Sequence, residues 1–262
     1  MTTFTTASTT VPATVPQGRV FRAHLANEAR LLVREPAALI FGALLPLLGI
    51  IVMSAIPAAR QPNATMGGFS VVQTYVPVLV LFATSVVGLT VMPGILGGYR
   101  QLGVLRRLRT TPTSPATLLA ALFTLITLIG LVEAALIVAI PALFGAALPV
   151  GLAWFALATT LSTLAFVAMG ALLAALVPSA GAAAGVGNAV AAVMWAASGL
   201  WFPRSGFPDW LLTASNLTPG GAAADAMLTA TLGAPQQWLP YAVLVVWTAV
   251  CAVVAVRTFR WE

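Results

Sequence analysis

Lysine is absent from these 262 residues, and all twelve basic side chains are arginine. A Walker-type phosphate loop needs a lysine to reach the nucleotide phosphates, so the chain is not itself a P-loop ATPase. Histidine occurs once, as His24. A zinc protease needs two histidines on one helix face, and an intramembrane serine–histidine protease needs one at depth, so both classes are excluded. The single cysteine, Cys251, rules out an intramolecular disulfide. Charge of either sign is scarce, at 7% of residues against about 25% in an ordinary soluble domain. Hydrophobic residues make up 60% of the chain and mean hydropathy is +1.00, more apolar surface than a soluble fold can bury.

What is present is a series of long apolar runs. A spanning helix needs roughly 20 such residues, and six windows satisfy this: 37–56, 74–96, 117–143, 151–177, 181–202 and 238–256. The runs are continuously apolar, without the alternation of lipid-facing strands, which predicts helices and not a barrel. Arg19, Arg22, Arg30 and Arg34 precede the first window; Arg100, Arg106, Arg107 and Arg109 follow the second; Arg257 and Arg260 follow the sixth. Only Arg60 and Arg204 fall in the opposite loops. By the positive-inside rule this strict alternation places both termini in the cytoplasm. The arginines hug span ends and cover no soluble face, so the basic balance reports topology and no nucleic-acid partner is expected. An alanine-rich, lysine-free composition points to a GC-rich bacterial genome, hence a bacterial inner membrane.

Residues 1–18, rich in Thr, Ala and Pro and uncharged, read as a disordered tail, without the basic n-region and short apolar core of a signal peptide. Residues 19–36 read as an interfacial helix, with Val20, Phe21, Leu25, Leu31 and Leu32 for lipid, arginines for phosphates, and Pro36 at the bend into the first span. His24 and Glu28 stand at i,i+4 spacing on it. Residues 208–232, between the fifth and sixth spans, are too apolar for an ordinary loop, yet Pro219, Gly220 and Gly221 break them too much to span. A re-entrant hairpin from the outer face fits, with Asp225 near the outer water layer. Glu133 lies well inside the third run. A carboxylate there either lines a path for a cationic or polar substrate or is a structural group bonded to a neighbouring helix. Gly181-x-x-x-Gly185 is a packing motif expected by chance among 22 glycines.

Three features together resemble the ABC-2 type export permeases, closest to the daunorubicin/doxorubicin-type drug-resistance branch. The first is Tyr99-Arg100-Gln101-Leu102-Gly103-Val104-Leu105-Arg106-Arg107-Leu108-Arg109-Thr110-Thr111-Pro112-Thr113-Ser114-Pro115, similar to the family's coupling segment, in which a glycine, a short basic helix and a small-residue/proline turn lead into the third span. It is purely basic, where the family usually carries a glutamate. The second is Ser198-Gly199-Leu200-Trp201-Phe202-Pro203 followed by Phe207-Pro208-Asp209-Trp210-Leu211 and Leu217-Thr218-Pro219, similar to the fifth-span ending and external segment. The third is the interfacial helix ahead of six spans.

The resemblance implies an all-α integral membrane permease domain over 19–260, with six transmembrane helices, the interfacial helix and the re-entrant hairpin. It implies a membrane subunit of an ATP-driven exporter, not catalytic alone. Two copies or two paralogues would work with two ABC ATPase subunits among membrane lipids. ATP and Mg²⁺ would belong to the partner, and this chain would bind no cofactor. Within segment 100–112, Gly103, Leu105, Arg106, Arg107, Leu108, Arg109 and Pro112 would couple to the ATPase. Glu133, Trp201 and Phe202 are expected on the substrate path, and Pro203, Pro208, Trp210 and Pro219 in the re-entrant segment. The sparsely charged interior suits a lipophilic or amphipathic cargo such as a drug, antibiotic or lipid. A secondary transporter and a non-transporting anchor or assembly protein are the alternatives; the former would carry more intramembrane ionisable groups.

Overall fold

The computed structural model describes residues 17–33, 44–64, 68–104, 107, 115–202 and 204–258. Among them every regular element is helical: α1 (Gln17–Val33), α2 (Leu45–Ala55), α3 (Pro57–Arg60), α4 (Val71–Gln101), α5 (Pro115–Leu143), α6 (Leu152–Leu176), α7 (Ala180–Ser198), α8 (Asp209–Asn216), α9 (Pro219–Leu232) and α10 (Trp238–Thr258). Five of these, α4, α5, α6, α7 and α10, are long and apolar enough to cross a bilayer. The described part of the first apolar window is α2, 11 residues or about 16 Å, which is short of the roughly 30 Å hydrocarbon core. Residues 37–43 of that window lie outside the described residues, as do Arg34 and Pro36 at the end of the interfacial helix. Helix α1 begins at Gln17, two residues inside the stretch read as tail.

Local chemistry sets several helix limits. Ser70 caps α4 reciprocally: its Oγ accepts from the Gln73 amide at 3.2 Å and its own amide donates to Gln73 Oε1 at 3.0 Å. Ser179 Oγ accepts from the Ala182 amide at the start of α7. Gly199, with φ of 88°, ends α7 in a left-handed turn. The fifth span therefore stops before Trp201 and Phe202, which its apolar window included.

Helix α6 is the hub. It packs against α10, α9, α4, α5 and α7, and Phe155, Ala158, Ala165, Phe166, Val167 and Ala171 are buried around it. Against it sits α9, whose Ala222, Ala223, Ala226, Met227 and Ala230 are buried. The glycines that read as breaks are contacts: a Cβ at Gly220 would lie 2.5 Å from Met194 O, and one at Gly221 would lie 2.1 Å from Ser215 O. Thr218 caps α9 through the Gly221 amide, with Pro219 at its first turn, where a missing N–H costs nothing. Trp247 Nε1 donates to Leu217 O at 3.0 Å, which sets the α8–α9 turn nine residues, about 14 Å, along α10.

A π-type widening interrupts α4. Pro93 offers no N–H to Leu89 O, and over Val87–Val91 the helix widens, with Met92 N–H bonded to Val87 O. The bulge is wedged between two neighbours by glycines. A Cβ at Gly170 on α6 would lie 1.9 Å from Gly88 O, and one at Gly187 on α7 would lie 1.7 Å from Leu89 O. Bare Cα–H groups against carbonyls permit this closeness, as in other small-residue helix contacts.

Candidate functional site: a polar and aromatic face on α4 and α7

Beside the bulge, α4 and α7 present one continuous side to the outside of the chain. Thr90 Oγ1 donates to Asn188 Oδ1 at 2.7 Å. Asn188 is the ninth of nineteen residues in α7 and is exposed, in a helix that holds no charged residue. Its amide nitrogen donates to nothing among the described residues, although a polar group at mid-span ordinarily turns toward the bundle interior or a wet cavity. On one side of this pair are Gly181 and Gly185, with open space where a Cβ would stand. On the other side an aromatic ladder climbs toward the end of α7. Phe82 and Trp195 have centroids 4.7 Å apart, and Trp195 and Trp201 stand edge-on at 6.4 Å. Trp195 Nε1 donates to Ser85 Oγ at 2.7 Å, and Ser85 Oγ donates to Phe82 O at 2.8 Å, which fixes the middle rung. Trp201 is 55% and Phe202 71% exposed at the top.

Glu133 is elsewhere. It is on α5, which packs on α1, α2, α4 and α6, whereas α7 packs on α4, α6, α8 and α9. Glu133 is thus on a different helix from the α7 end that leads to Trp201 and Phe202, and the two helices share α4 and α6 as neighbours. Glu133 is 3% exposed and neither carboxylate oxygen has a hydrogen-bond partner among the described residues. One turn before it, a Cβ at Gly130 would meet Thr163 Cγ2 at 3.1 Å and Thr84 Cγ2 at 3.8 Å.

At the Gln101 end of α4, Arg100 donates to Val177 O beyond α6, and Tyr99 OH donates to Glu28 Oε2 on α1. Burial pushes the Glu28 carboxyl above its ordinary pKa, while the Tyr99 hydrogen bond and the His24 charge pull it down. Gly103 (φ 65°) turns the chain out of α4, and Arg107, exposed, donates its amide to Gly103 O at 3.1 Å. Leu105, Arg106, Leu108, Arg109 and Pro112 lie outside the described residues. At the other end, Arg204 donates to Gly221 O at 2.8 Å and to Asn216 Oδ1, tying α8 to α9. Burial lowers the Arg204 pKa and Asp225 opposes this. Pro208, exposed, precedes α8; Trp210 is 72% exposed on it; Pro219 is buried at the start of α9; Pro203 lies outside the described residues. Sequence reasoning passed over Thr90, Asn188, Ser85 and Trp195, and took Tyr99 only as the start of the coupling motif and not as a partner of Glu28. The available signal was Asn188 itself, the one amide in the apolar run of α7.

Five helices long and apolar enough to cross a bilayer define a multi-pass membrane protein. The model of the ABC-2 type transporter family matches residues 19–232, and the chain belongs to that family. It is an ABC transporter permease component, not itself catalytic, and membership implies partnership with an ABC ATPase subunit. Comparison with curated proteins gives no match.

Proposed function

We propose that this chain is the membrane subunit of an ATP-driven exporter, moving a lipophilic or amphipathic small molecule out of the cytoplasm along the α4–α7 face. The observation that carries this reading is the exposed Thr90–Asn188 pair at mid-span. An outward-facing amide costs free energy against lipid, so the face belongs against a second permease copy or paralogue with a hydrated path between them. The uncharged aromatic ladder above it suits an apolar, ring-containing cargo of the kind the drug-resistance branch handles. The reading includes the inner membrane of a bacterium, six spans with the first through 37–56, cytoplasmic termini, and a re-entrant α8–α9 hairpin supported by the Trp247–Leu217 contact. Two ATPase subunits hold ATP and Mg²⁺ and push on residues 100–112, which the Arg100, Tyr99 and Glu28 bonds join to α1 and α6.

Co-purification tests it. Affinity-purified chain should carry an ABC ATPase at about one copy per permease. A chain that transports cargo with no ATPase bound would be a secondary transporter, and one that transports nothing while holding other proteins would be an anchor.

A further inference from the structure

A cavity lies away from the proposed export face, at the junction of α1, α4 and α5. Its volume is about 540 Å³, within the range of small-molecule sites. Its walls are apolar, including Leu31 and Leu32 from α1, Ile95 from α4, and Leu122 and Leu125 from α5. The polar groups with charge or a hydroxyl are Glu28 and Tyr99, already hydrogen-bonded to each other. Room is made by Gly94 and Gly98, one turn apart on α4, where nothing stands within 4 Å of a would-be Cβ. No basic side chain is among the described lining residues.

We propose that this cleft binds a cationic amphiphile, the ammonium group on the Glu28 carboxylate beside the Tyr99 ring and the apolar body between α1 and α5. Three features converge on that chemistry. A carboxylate that is 4% exposed, with no basic side chain among the described lining residues of its cleft and only the His24 charge on its own helix acting on it, gains from an incoming cation that replaces lost hydration. The phenol ring next to it adds an aromatic face of the kind that holds ammonium groups. The remaining lining is hydrocarbon, which favours a long or ring-bearing tail over a bare metal ion or free amine. Helix α1, with Leu31 exposed beside the cleft, gives such a molecule a way in from the membrane surface. The ammonium belongs to a free amphiphile or to an amine lipid headgroup, two sources of one chemistry. The proposal rests on the exporter reading only for the use made of the bound molecule, since binding is readable on the purified chain.

The test uses the purified full chain in a non-ionic detergent, with 12-(dansylamino)dodecylamine, which keeps one free ammonium, as probe and its N-acetylated, uncharged form as comparison. Wild type should bind the amine at least tenfold more tightly than the acetylated form. Glu28→Gln, which keeps an acceptor for Tyr99, should abolish that preference and leave binding of the neutral form in place. Gly98→Phe fills open space and should weaken both probes tenfold or more. Adding phosphatidylethanolamine separates the sources: displacement of the probe identifies the lipid headgroup, and persistence identifies a free amphiphile. Equal binding of amine and acetylated probe to wild type, or wild-type binding by both variants, would overturn the site. That failure would leave ATPase association and export along α4–α7 untouched, because those have separate readouts.

Discussion

Two acidic side chains, both buried but differently partnered, show how little a residue's identity says about its work. Glu28 has a raised pKa because burial outweighs the Tyr99 bond and the His24 charge. The folded chain therefore holds that proton more tightly than the unfolded chain, and stability declines as pH rises above the ordinary value of 4.5. Glu28→Gln should match the wild-type apparent melting temperature near about pH 4 and exceed it at about pH 8. A variant that melts lower than wild type at the higher pH would show that the carboxylate stabilises the junction instead. Repeating the pair in a His24→Gln background isolates the Glu28 contribution. Glu133 has no hydrogen-bond partner among the described residues to lose. Because Glu133 is on α5 and off the α4–α7 face, Glu133→Gln should assemble normally and export cationic and neutral cargo in the wild-type ratio; a change in that ratio would place the carboxylate on a path, and lost assembly would make it structural. The sequence alone paired Glu28 with His24, four residues away. The partner that donates to it, Tyr99, is 71 residues distant, and only folding brings the two together.

At the scale of elements, the bilayer made the spans legible and packing made their ends illegible. Runs of about 20 apolar residues are dictated by the hydrocarbon thickness, so the windows 74–96 and 117–143 lie inside the helices of α4 and α5. Where each helix stops is decided by single positions such as Gly199, whose left-handed turn ends α7 although the apolar run continues to Phe202. The same limit applies to glycine within helices, since close contact and chain break look alike in a sequence. Gly187 illustrates the former. Gly187→Ala would drive a methyl group to 1.7 Å from Leu89 O at the bulge of α4, and the α4–α7 contact must open. A loss of about 1–3 kcal/mol is expected on overpacking grounds. Gly49→Ala, whose nearest atom is Leu79 Cδ2 at 4.0 Å, serves as the control and should be close to neutral. Denaturation of the detergent-solubilised proteins compares the two; equal stabilities would mean the bulge is not held by this contact.

For the whole molecule, a lysine-free chain with spans and no phosphate loop reads as a transport body without a motor, and family membership agrees with that reading. The face proposed as the cargo path was not legible, because it depends on a hydrogen bond between residues 98 apart and on rings contributed by two helices and the turn after one of them. The central claim, that export follows the Thr90–Asn188 face and is driven by ATP, comes down to one measurement. Wild-type chain and Asn188→Leu are each reconstituted with the ATPase in vesicles, and ATP-dependent uptake of a lipophilic fluorescent amphiphile into the inward-oriented population is followed. The account predicts rapid ATP-dependent uptake for wild type and at least a tenfold loss for Asn188→Leu, with the ATPase still bound at the wild-type ratio. Uptake by Asn188→Leu at the wild-type rate, or wild-type uptake that proceeds without ATP, would contradict it.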